Sequence, residues 1–153
     1  MCLLIHVRKT VLLLTLSKNV SIDDDMEPPI LLALTVGLIA WAFLSLGAAV
    51  AGLYFVPKKD TECWRAFWFM NGIWGLIDGI IGWANLITAP PTIEFLQKVL
   101  TINSGLDLLY MITGSVLLTR AKPVLKGFGF AILFQGLFLL IFDAIFLFLC
   151  YRS

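Results

Sequence analysis

The chain has 153 residues, is 60% hydrophobic and only 14% charged, and has a mean hydropathy of +0.96 and a formal net charge of +1. Soluble domains carry about 25% charged residues, and a soluble fold of this size has too little interior for so much apolar surface, so the composition points to an integral membrane protein. No basic patch with interleaved aromatics suggests nucleic acid, the cysteines Cys2, Cys63 and Cys150 are too scattered for a disulfide framework or zinc site, and the one histidine, His6, leaves the apolar part without a Ser-His-Asp centre.

Residues 1–25 are treated as an N-terminal tail with an open status. Arg8 and Lys9 precede a short apolar run, TVLLLTLS, and no small-x-small cleavage site follows it. Met26 stands just before the first long apolar stretch, so either Met26 is the natural start or 1–25 is an amphipathic tail; a cleaved signal fits less well. Residues 26–153 form the transmembrane part. The first span, about 29–56, has no charge and exceeds the roughly 20 residues that cross a bilayer. Pro28 and Pro29 suit its start and Pro57 its stop, and Gly47, Ala48, Ala51 and Gly52 make a small-residue patch that permits close helix approach.

The second span, about 64–88, contains FMNGIWGLIDGIIGWAN and ends at Ala89-Pro90-Pro91. Asn71, Asp78 and Asn85 are spaced seven and seven, so a helix puts them on one face. A carboxylate in mid-span costs about 2.5–3.5 kcal/mol or more on insertion scales, so something must compensate for it. The glycines 72, 75, 79 and 82 are expected at helix contacts. The third span, about 96–119, carries Asn103, Asp107, Tyr110 and Gly114 on one face, with Tyr110 a turn from Asp107 and expected to bond to it. The fourth, about 126–150, holds Gln135 and Asp143 eight residues apart on one side. Gly127-x-Gly129 is too short for a nucleotide loop and is expected to give backbone freedom at the interface. Asn71-Gly72 with Asp78 in span two echoes Gln135-Gly136 with Asp143 in span four, a weak internal repeat that fits a duplicated hairpin.

The expected fold is therefore an all-α membrane protein, a bundle of four antiparallel transmembrane helices. Lys58, Lys59 and Arg65 in loop 57–65, and Arg120, Lys122 and Lys126 in loop 120–126, place both loops in the cytoplasm and both termini outside. At about 1.5 Å of rise per residue, Asp78 and Asp107 fall near mid-membrane, Asp143 and Asn103 lie further out, and Gln135 lies on the cytoplasmic side. Spans two, three and four thus aim acids and amides at one interior, while span one, with only Thr35 and Ser45, serves as packing. No Lys, Arg or His is available inside to neutralise the three acids.

Three stretches carry a resemblance: Met70-Asn71…Trp74…Asp78, Asn103-x-Gly105-Leu106-Asp107…Tyr110…Gly114, and Gly127-x-Gly129…Gln135-Gly136…Asp143. Across about 64–146 the chain resembles a family of small bacterial four-span membrane proteins known only as a domain of unknown function. The resemblance implies a four-helix fold and a bacterial inner-membrane setting, and it carries no activity. It also implies that Asn is common at position 78, so Asp78 departs from the pattern, which weakens a proton relay resting on that residue. Small multidrug exporters differ in having a Glu in the first span, and membrane glutathione transferase-like proteins differ in their Arg and Glu clusters at helix ends.

Two functions remain open on this footing. The first is a non-enzymatic membrane protein whose polar centre (Asn71, Asp78, Asn85, Asn103, Asp107, Tyr110, Gln135 and Asp143) binds or passes a small polar species, a proton or a cation. The alternative is a structural or assembly subunit of a membrane complex, its buried acids protonated and hydrogen-bonded. An enzyme has the least material, and no catalytic residue, cofactor or metal-ligand set is expected. The expected partners are the lipid bilayer, a second copy or another membrane protein, and a small polar ligand or ion.

Overall fold

The computed structural model describes residues 28–57, 59 and 61–152. The tail 1–25, the alternative start at Met26 and the loop cation Lys58 lie outside the described residues. Within them the chain forms four helices and no strand: α1 (Pro28–Phe55), α2 (Glu62–Ile87), α3 (Ile93–Leu118) and α4 (Pro123–Arg152). Three of these boundaries differ from the expected ones for local reasons. α2 opens at Glu62, an acid that complements the N-terminal dipole. α3 opens at Ile93 because Thr92 caps it, accepting a hydrogen bond from the Phe95 N–H at 3.3 Å. α4 opens on Pro123, whose missing N–H costs nothing in a first turn. α2 stops at Thr88, in extended conformation just before Ala89-Pro90-Pro91.

α1, from Ile30, together with α3 and α4 are long and apolar enough to cross a membrane. α2 falls short of the same measure, which coarsens the expectation of four spans to three by composition. The cause is visible in its sequence: Asn71, Asp78, Asn85 and four glycines dilute its apolar content. Its outward flank is nonetheless apolar, with Phe69, Leu76, Ile80, Trp83 and Ile87 exposed while Asn71 and Asp78 are buried.

α4 is the hub of the packing. It lies closely along α3 and α2 and touches α1 more lightly, and α1 pairs with α2. Among the described residues, α2 and α3 bring no Cα pair within 8 Å of each other. The seam between them is wide and is filled by side chains, including Trp74 and Tyr110, whose rings meet edge to face at 4.9 Å. Glycines set the close contacts elsewhere. A Cβ at Gly129 would lie 2.7 Å from the Gly114 carbonyl oxygen of α3, and one at Gly127 would run into the Cys63 carbonyl of α2. Gly127 and Gly129 are therefore packing positions, which corrects the expectation of interfacial backbone freedom. Gly75 seats α2 on α1, where an added Cβ would meet Ser45 and the Ala42 carbonyl at 3.0 and 3.1 Å. At the end of the bundle that carries the start of α1, Leu34, Leu96, Leu100 and Phe146 form an apolar plug joining α1, α3 and α4.

Candidate functional site

The buried polar residues fall into two groups at different levels. The first is an amide node centred on Gln135, which α4 places between α1 and α2. Its Oε1 accepts from the Trp41 indole N–H at 2.8 Å. Its Nε2 donates to Asn71 Oδ1 at 2.6 Å and to Ser45 Oγ at 3.2 Å. Asn71 in turn donates from Nδ2 to the Ser45 carbonyl at 3.3 Å. Gln135 has 0% of its surface exposed, so each of these bonds replaces solvent that cannot reach it. The Trp41 indole also stacks on Phe138 of α4, with ring centroids 3.5 Å apart.

The second group is acidic and lies between the amide node and the apolar plug. Asp78 of α2, Asp107 of α3 and Asp143 of α4 are 2%, 3% and 7% exposed. Asp107 interacts electrostatically with both other acids, and Asp143 also feels Asp78. The Asn103 side chain stands beside the Asp143 carboxylate. Oδ2 of Asp78 and Oδ2 of Asp107 are buried without a hydrogen-bond partner. Such orphaned atoms are costly in an apolar interior. Among the described residues, no three His, Cys, Asp or Glu side chains stand close enough together to hold a metal ion.

The sequence candidates thus separate. Asn71 and Gln135 build the node, where the two amides of the weak internal repeat bond to each other. Asp78, Asp107, Asp143 and Asn103 build the acid cluster. Tyr110 is half-buried and packs its ring on Trp74, and Asp107 Oδ2 receives no bond from it. Asn85 is half-buried further along α2 and joins neither group. Two contributors come from α1, which the sequence suggested was only packing: Trp41 and Ser45. Their signal was available, since they sit one turn apart and Trp41 places an N–H donor deep in an uncharged span, where it needs an acceptor. Thr35 is also buried.

Residues 37–144 match the model of a family of unknown function, DUF6992. The match reaches from within α1 to just past Asp143 in α4 and takes in every residue of both polar groups. No curated protein and no solved structure matches the chain. The chain belongs to the DUF6992 family.

Proposed function

We propose that this member of a family without an assigned activity is a four-span membrane protein whose acidic centre takes up, and passes, a proton or small cation. The observation that carries the proposal is the pair of buried, unpartnered carboxylate oxygens on Asp78 and Asp107. Among the described residues no Lys, Arg or His is buried beside the three acids, so a proton or small cation is the natural neutralising species. α2 counts as the fourth span because its exposed flank is apolar and its polar residues turn inward. Loop cations then favour cytoplasmic loops 57–65 and 120–126 and external termini, in a bacterial inner membrane. A homo-oligomer or a membrane-protein partner is compatible with the apolar outer faces.

A second role, as a structural or assembly subunit, draws support from a different observation: the amide node has a partner for each of its hydrogen-bonding side chains and acts as a clamp. In that case Asp→Asn changes leave the protein intact and without phenotype, whereas Asp→Leu changes unfold it. Reconstitution in liposomes separates the two. Wild type should show pH- or cation-dependent flux that Asp107→Asn abolishes. Equal silence of both proteins, each folded, would reject transport in favour of the structural role.

A further inference from the structure

We propose that the end of the bundle carrying the α1–α2 and α3–α4 turns is a docking surface for anionic phospholipids. Acyl chains lie in two apolar grooves, and the phosphates sit beside the basic residues at the groove mouths. The inference rests on the four-span reading above and is independent of the acidic centre.

Packing gathers four helix ends there. Gly52 of α1 lies against Trp68 of α2, Gly127 of α4 against Cys63 of α2, and Gly129 of α4 against Leu117 and Leu118 of α3. Lys59, Arg65, Arg120, Lys122 and Lys126 stand at this end with one described acid, Glu62, so five less one leaves +4. Lys58 and Asp60 of the first turn cancel. At the opposite end Lys98 and Arg152 against Glu94 leave two less one, +1, among the described residues. None of the five cations is ion-paired to another described residue, and all but the half-buried Arg65 are exposed.

Two grooves run to the same end. One, of about 530 Å³, lies on the outer face of α1 and is lined by Phe43, Gly47, Val50, Ala51 and Tyr54 among others. A Cβ added at Gly47 would meet nothing within 4 Å, so the groove is open there. The other, of about 630 Å³, lies on α3 along Leu108, Ile112 and Val116 and reaches Thr119, the residue before Arg120. An apolar groove that leads to an unpaired cation matches a molecule with an apolar chain and an anionic head. A phospholipid supplies both, and Lys or Arg side chains next to an anionic leaflet strengthen its hold. A second copy is a poorer occupant, because a parallel pair would set one +4 end beside another.

The test is electron spin resonance of the full chain in phosphatidylcholine vesicles, washed with carbonate and doped with spin-labelled phosphatidylglycerol or phosphatidylcholine. The motionally restricted signal should favour phosphatidylglycerol by about fivefold or more, the equivalent of one basic residue at an anionic surface. The preference should fall as salt rises. It should approach unity when Lys59, Arg120, Lys122 and Lys126 are all changed to Gln at matched helicity, and persist in Lys98→Gln/Arg152→Gln. Gly47→Leu, which fills the α1 groove, should release part of the restricted phosphatidylglycerol. Equal restriction of both lipids by the washed, folded wild type would overturn the docking surface and leave the four-span reading standing. Loss of the preference on adding inorganic phosphate would mark a free-ion site and overturn it too, as would a disulfide between two copies of Gly47→Cys that excludes the lipid. Release of the protein by carbonate would overturn the four-span reading and the docking surface together.

Discussion

Replacing Gln135 by Leu keeps roughly the same side-chain volume and deletes the centre of the amide node. Three side-chain hydrogen bonds disappear, to Trp41, Asn71 and Ser45, at 2.8, 2.6 and 3.2 Å. Interhelical hydrogen bonds in membranes average about 0.6 kcal/mol each, so the bonds alone account for about 2 kcal/mol. The Trp41 N–H is then left in apolar surroundings, which adds about 1–2 kcal/mol. The expected loss is about 3–4 kcal/mol, read by titrating detergent-solubilised protein with sodium dodecyl sulfate and following helicity. A double-mutant cycle with Trp41→Phe should return a coupling of about 0.6–1.7 kcal/mol. Leu137→Ala, on an exposed position of the same helix, is the control. A Gln135→Leu loss under about 0.5 kcal/mol, the range of ordinary surface changes, would refute the node as a clamp.

Other outcomes follow from the packing and the proposed topology. Gly127→Ala and Gly129→Ala should each destabilise the bundle by about 1–3 kcal/mol, as overpacking does, because their new methyl groups meet backbone. Gly47→Ala and Gly105→Ala meet nothing within 4 Å and should stay within about 0.5 kcal/mol of wild type in the same titration. Asp143→Asn should also leave stability within about 0.5 kcal/mol, since the amide keeps the shape and a polar end beside Asn103, whereas Asp143→Leu should cost about 1–3 kcal/mol by setting an apolar side chain against that amide. Single cysteines at Lys59 and Lys122 should react with an impermeant thiol reagent from the cytoplasmic side, and one at Thr92 from the opposite side; labelling of all three from one side would reject the four-span topology.

The helices were legible in the sequence because apolar runs and prolines bound them, and the buried faces were legible because the polar residues recur at helical spacing. Asn71, Asp78, Asp107, Gln135 and Asp143 are all buried in the fold. What the sequence could not convey is which helices touch. One shared interior was the simplest expectation from depth and face, but the polar residues fall at two levels, a bonded amide node and an acid cluster. The node depends on α1 pairing with α2 and on α4 lying beside them, neighbours that no single-helix periodicity encodes. Trp41 escaped notice for a related reason. A tryptophan in an apolar span reads as bulk until its acceptor is located, and that acceptor lies 94 positions away in sequence. Gly127 and Gly129 likewise gain meaning only from the backbone that faces them.

The most direct test of the acidic centre is flux into proteoliposomes under an imposed pH or cation gradient, comparing wild type with the Asp78→Asn, Asp107→Asn and Asp143→Asn triple variant at matched helicity. The centre proposed here predicts gradient-dependent flux in the wild type and none in the triple variant. Flux of equal size in the two proteins would contradict it.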